Sequence, residues 1–172
     1  MGMTFSVDPA DIDETPHARE NPIDYVSRLS RDKAAAVAQR HSSASVIVLA
    51  ADTTVDVDGE IFGQPIDDAD AARMLRRLSG RTHRVHTAVT VCDSDGVMST
   101  ECVTSLVTFH PLPPNTIEWY VGTGEPMGKA GAYAVQGLGS ALVAGVRGSL
   151  TNVIGLPVAQ TARLLGISGP SS

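Results

Sequence analysis

Val46-Ile47-Val48-Leu49-Ala50-Ala51 is a continuous apolar run, and Asp52-Thr53-Thr54 follows it directly. An apolar run without polar alternation is the pattern of a strand covered on both faces, which points to an α/β protein. The strand is expected to end at Asp52. An acidic residue at the end of a central strand stands where open α/β sheets hold their ligands. The same position also suits an aspartate that caps or turns the chain. Val55-Asp56-Val57 then leads through a hairpin turn at Asp58-Gly59 and back along Glu60-Ile61-Phe62.

On the N-terminal side, Asp8 to Pro22 is polar, carries three prolines and reads as loop. Asn21-Pro22 supplies a cap followed by proline in the first turn, so a helix is predicted from there to about Gln39. Ile23, Val26, Leu29, Ala34 and Val37 fall on one arc of that helix. Lys33 falls inside the arc, whereas Arg28, Arg31 and Asp32 fall outside it. A lysine in an apolar stripe is costly to bury unless it meets an anion. A lysine at the stripe edge can instead extend its amine to water. The residues alone leave both open.

On the C-terminal side, Gly63-Gln64-Pro65 breaks the chain, and Asp67 to Leu78 is a capped helix closed by Gly80. Arg73, Arg76 and Arg77 lie toward its C-terminal end, where they suit the helix dipole. Thr82–Cys92 and Cys102–Phe109 are predicted as an antiparallel pair around the turn Asp93-Ser94-Asp95-Gly96. Pro114 opens a helix containing Ile117, Trp119, Tyr120 and Val121, with Trp119 and Tyr120 expected to pack inward. Gly122 to Gly139 is glycine-rich but matches neither a Walker loop nor a dinucleotide fingerprint. A last strand over Ala141 to Val146 and a closing helix from Pro157 to Leu165 complete the pattern. The tail from Gly166 to Ser172 is expected to fray.

The 172 residues suit one domain, 1–172, without a linker or repeat. With 42% hydrophobic and 19% charged residues the composition is globular, which excludes a disordered chain. The net charge of -6 argues against nucleic acid or an anionic membrane as partner. It leaves room for a small anion in a locally basic pocket. No apolar run approaches the roughly 20 residues of a membrane span. No basic-then-apolar segment marks a signal peptide at Met1 to Phe5. Cys92 and Cys102 read as plain thiols of a reducing cytosol, so a cytoplasmic protein is expected. His17, His41, His83, His86 and His110 lack zinc-site spacing. His83 and His86, three apart in a strand, should point to opposite faces.

Six segments, in this order, carry a resemblance to a known family. They are Asp11-Ile12-Asp13-Glu14, Tyr25 to Ala34 (YVSRLSRDKA), and Ala51-Asp52-Thr53-Thr54-Val55. Met74 to His83 (MLRRLSGRTH), Lys129 to Gly137 (KAGAYAVQG), and Asn152 to Pro157 (NVIGLP) follow. The chain resembles the Maf family of nucleoside triphosphate pyrophosphatases over nearly its whole length. The resemblance implies an elongated α/β fold, similar to inosine triphosphatases, with a mixed twisted sheet, flanking helices and a central cleft between two lobes. It implies hydrolysis of a (d)NTP, dTTP or UTP for the branch with threonine and glutamine at the discriminating positions, to the monophosphate and pyrophosphate. Asp52 would be catalytic together with Lys33. Glu14 and Asp52 would hold a divalent cation, Mg²⁺ or Mn²⁺. Thr53, Gln136, Gln64 and Lys129 would bind substrate, and a homodimer would form.

These assignments fit the chemistry of the groups. Water attacking an α-phosphorus must lose a proton, and the departing pyrophosphate must be neutralised. Asp52 can take the proton or hold the metal, and Glu14 is a hard oxygen donor. Lys33 supplies a point charge for phosphate oxygens, and the Gln136 amide matches an imide edge. Two departures are expected to matter. The family opens with a strand and helix bearing Ser-x-Ser-Pro-Arg-Arg, and Met1 falls where that helix would end. Gln64 stands where the family has a lysine. A triphosphate would therefore miss three cationic contacts, each worth about 1.5–3 kcal/mol. They motivate a second reading, a catalytically impaired nucleotide-binding or cell-division-associated interaction protein.

Overall fold

Asn21 begins the first helix of the structure, a computed structural model that describes residues 3–42 and 45–167. Its side chain accepts the Ile23 N–H at 2.9 Å, and α1 runs Pro22–Arg40. Tyr25, Val26, Leu29 and Ala34 are buried, but Ile23 is exposed, contrary to expectation. Ile23 shares the arc of the fully buried Ser30 and Ala34, but it stands in the first turn of the helix, where it stays exposed.

The central strand β1 is Val48–Val57 and does not stop at Asp52. It continues because its ladder to β3 (Thr82–Cys92) is unbroken from Val48↔Cys92 to Asp56↔Arg84. Asp52 is therefore neither a strand terminus nor a cap. Nor is the apolar run covered on both faces, since Val46, Ile47 and Leu49 are exposed. At that end β1 has a strand neighbour on the β3 side only, among the described residues. The predicted hairpin is present: Asp58 and Gly59, with φ of 55° and 86°, turn β1 into β2 (Glu60–Phe62), which pairs with Val55–Val57.

The helix α2 is Asp68–Leu78, capped by the Asp67 carboxylate, which accepts the Asp70 N–H at 2.7 Å. β3 then pairs with β4 (Met98–Phe109), which starts four residues before the predicted Cys102. In α3 (Pro114–Val121), Tyr120 is fully buried but Trp119 is exposed, so the adjacent aromatic residues do not both pack inward. A 3₁₀ turn over Gly137–Leu142 precedes β5 (Val143–Arg147), displacing the last strand from its expected start. α4 (Leu150–Ile154) has no counterpart in the sequence prediction, and α5 (Val158–Leu164) closes the described fold. The part of the fraying tail beyond Ile167 lies outside the described residues. No described helix is long and apolar enough to cross a membrane.

The strand order is β2-β1-β3-β4-β5. Every pairing among the described residues is antiparallel, where the resemblance implies a mixed sheet. Hairpins join β1 to β2 and β3 to β4, and α2 returns the chain to β1 in the opposite sense. The sheet separates two cores. Ala88 packs with Tyr25, Val26 and Leu29 of α1 on one face. Val55, Val85 and Val107 pack with Leu75, Leu78, Phe109 and Tyr120 on the other.

The glycine-rich segment is held by close approaches. A Cβ on Gly139 would overlap the Ala134 carbonyl oxygen and lie 2.5 Å from the Tyr120 hydroxyl. That hydroxyl donates to Glu125 Oε1 at 2.9 Å, and the same oxygen accepts the Gly139 N–H at 2.7 Å. Gly139→Ala must break this cluster, because the obstructing group is backbone rather than a movable side-chain tip. A loss of about 1–3 kcal/mol in urea unfolding is expected, as for an overpacked core site.

Candidate active site

The open edge of β1 is where side chains from both sheet faces meet. Successive residues of a strand point to opposite faces, so Asp52 faces α1 and Thr53 faces α4. With no strand beside this part of β1 among the described residues, a cavity of about 570 Å³ wraps around the edge. It receives Asp52, Lys33 and Glu14 from the α1 side. It receives Thr53, Gln64, Lys129 and Gln136 from the other side. All seven residues singled out from the sequence thus line one cavity. Sequence position alone could not show this, because they arrive from five separate segments.

Lys33 Nζ donates to Asp52 Oδ1 at 2.7 Å and lies 2.7 Å from Glu14 Oε1. Its place on the apolar stripe is thus explained by anions, not by reach into water. Asp52 is 8% exposed. Burial pushes its carboxyl above the ordinary aspartate value; Lys33 opposes this and the Glu14 charge reinforces it. Burial pulls the Lys33 amine down, but its bonds to Asp52 and Glu14 outweigh that and hold it above the usual lysine value. The site therefore keeps a firmly protonated amine against a carboxylate more basic than usual.

Two residues that position Glu14 were not foreseen from the sequence. The Tyr25 hydroxyl donates to the Glu14 carbonyl at 2.9 Å. Arg28 donates to Glu20 through Nε at 2.7 Å and Nη2 at 2.8 Å, and to the Thr15 carbonyl at 3.2 Å. The fork holds the Glu20 carboxyl down to about 2. Tyr25 and Arg28 stand three apart, hence as neighbours on the α1 surface. That spacing beside an acidic loop was the available signal.

On the other side, Gly131 N–H donates to the Gly63 carbonyl at 3.0 Å, which joins the Gln64 segment to the Lys129 segment. Gly131 has φ of 70°, and a Cβ there would meet Val55 Cγ2 at 2.7 Å. Only glycine lets these two walls approach the strand so closely. Tyr133 also lines the cavity. Its hydroxyl lies 2.8 Å from His83 Nε2, and its ring stands edge-on to Phe109 with centroids 4.7 Å apart. Burial pulls His83 down to about 4, so the imidazole is neutral near pH 7. His86 lies on the opposite face, as its spacing predicts, against Asp56 and Thr104.

Among the described residues no group of three or more His, Cys, Asp or Glu side chains forms a ready-made metal cage. Two carboxylates do converge on a single point, marked by the Lys33 amine between them. That point is filled by the Lys33 amine, so Glu14 and Asp52 would hold Mg²⁺ or Mn²⁺ through oxygens turned away from Lys33, together with substrate phosphates.

Comparison with known proteins gives a consistent picture. A family model described as "Maf-like protein" matches residues 1–167. A protein of Myxococcus xanthus named "dTTP/UTP pyrophosphatase" is 50% identical over 169 residues, covering 98% of this chain and 84% of that protein. A protein of the same name from Anaeromyxobacter dehalogenans is 49% identical, covering 98% and 86% respectively. A third so named, from Methylobacillus flagellatus, is 46% identical over 96% of this chain and 82% of its own length.

Proposed function

The chain belongs to the Maf-like protein family, and from that premise we propose that it hydrolyses dTTP and UTP to the monophosphate and pyrophosphate. The observation that carries this is the convergence of Asp52, Lys33 and Glu14 with Thr53 and Gln136 in one cavity. Its volume of about 570 Å³ is within the range of small-molecule sites.

Asp52 removes the proton from the attacking water, for which its raised basicity suits it. The new bond joins the water oxygen to the α-phosphorus. The bond from that phosphorus to the α,β-bridging oxygen breaks, and pyrophosphate departs with the electron pair. Lys33 stays protonated and places a fixed positive charge where oxyanion charge builds up. Lys129 adds a second cation on the far wall. A divalent cation, held by Glu14 and Asp52, would supply further neutralisation of the phosphates and acidify the water. Gln64 would contact phosphate only as a neutral donor. Gln136 and Thr53 would face the base. The homodimer and the cytoplasmic setting implied by the resemblance belong to the same reading.

The test is product analysis with dTTP and UTP in Mg²⁺ or Mn²⁺. Monophosphate and pyrophosphate in equal amounts are expected. Release of inorganic phosphate and a diphosphate, or no turnover, would reject the proposal.

A further inference from the structure

The proton of the Thr53 hydroxyl has its place assigned by the residues behind it. Thr87 is fully buried on β3 and lies directly opposite Thr53 in the ladder. Its Oγ1 is 2.9 Å from Thr53 Oγ1 and 2.9 Å from the Asn152 backbone carbonyl. A hydroxyl has one proton and a carbonyl has none. If Thr87 gave its proton to Thr53, its contact with the Asn152 carbonyl would set two lone pairs against each other. One order makes both contacts hydrogen bonds: Thr53 donates to Thr87, and Thr87 donates to Asn152.

The far end of this relay is rigid. Asn152 is fully buried, and its Nδ2 donates to the Val85 carbonyl at 3.0 Å and to Ser105 Oγ at 2.9 Å. Its own N–H donates to Ser149 Oγ at 3.1 Å. Thr53 therefore meets the cavity with lone pairs only.

We propose that Thr87 is a positioning residue that makes Thr53 an obligate hydrogen-bond acceptor, so that the cavity selects a base presenting an N–H. This deepens the nucleotide reading above and rests on it. Uracil and thymine carry an imide N–H between two carbonyls. Cytosine has a bare ring nitrogen at that place and keeps its N–H groups on the exocyclic amine, so a cytosine held in the pose of uracil would meet Thr53 lone pair to lone pair. The Gln136 amide can rotate to offer either a donor or an acceptor, so it adapts to both edges. Thr53 cannot adapt while Thr87 holds its proton.

The experiment measures dissociation constants for UTP and for CTP by calorimetry in Mg²⁺, with turnover recorded separately. The wild-type chain is expected to prefer UTP by about 10²-fold, as for a buried polar group left unpaired by the wrong ligand. Thr87→Val frees the Thr53 proton, so the preference should fall about 10-fold, one mispaired contact being worth that much. Thr87→Ser keeps the hydroxyl and should keep the preference, a rescue that a merely structural role would not produce. Thr53→Val should lower the preference equally, and adding Thr87→Val to it should change nothing more. An unchanged UTP/CTP ratio in a folded Thr87→Val protein overturns the proposal. Should that variant not fold, an unchanged ratio in Thr53→Val overturns it instead. Selective binding with these effects but no turnover would uphold the relay and reject the pyrophosphatase reading.

Discussion

Asp52→Asn is expected to lower kcat on dTTP by about 10²–10⁴-fold, the usual worth of a positioned general base. The amide matches the carboxylate in size but cannot take a proton, so the cavity keeps its shape. Two effects on stability oppose each other. The Asp52 carboxyl has its pKa raised in the fold, so the native state favours the protonated form. Its contribution to stability is present below the unfolded pKa and is lost as pH rises through the folded value. Removing the charge therefore relieves a cost at neutral pH, while Lys33 loses its partner at 2.7 Å. Circular dichroism and the melting temperature should change little, and pyrophosphate release should nearly vanish. Substantial turnover by a folded Asp52→Asn protein would remove Asp52 from the role of base.

Lys33→Met is expected to act on both rate and pH dependence. It deletes a cation that touches Asp52 and Glu14, each at 2.7 Å. A charge-assisted contact contributes about 1.5–3 kcal/mol, so kcat/KM should fall by about 10²-fold. The pH profile then supplies the sharper test. In the native site Lys33 lowers the pKa of Asp52, while burial and the Glu14 charge raise it. Without Lys33 only the weaker pull of Arg28 opposes the two raising influences, so the acid limb of kcat/KM must move to higher pH. An acid limb that stays in place would mean that another group controls it.

These two residues also show how differently the sequence speaks about different features. Lys33 was legible as an anomaly, a cation where 3.6-residue periodicity wants an apolar group, but periodicity could not say which anion it meets. Asp52 is legible as an acidic break after an apolar run, but its setting inside a longer strand is not. An apolar run ending in Asp-Thr-Thr looks like a strand terminus. The strand continues because its partner across the ladder, β3, runs alongside through Arg84. Tyr25 and Arg28 leave only a faint signal, a three-residue spacing beside an acidic loop, because they secure the Glu14 segment through backbone oxygens and through Glu20. α4 escaped because five residues are too few to show a period.

By itself the sequence determined the helix cap at Asn21, the Asp58-Gly59 turn, the capped α2 and the order of the family segments. Each of these depends on residues adjacent in the chain, where backbone sterics and local hydrogen bonds act alone. The tertiary structure decided what no local pattern carries. Among the described residues it leaves one edge of β1 without a strand neighbour, so that Asp52 on one face and Thr53 on the other reach a common cavity. It also set Thr87 behind Thr53 through register across the sheet, and Asn152 behind Thr87 through the packing of α4 on β3.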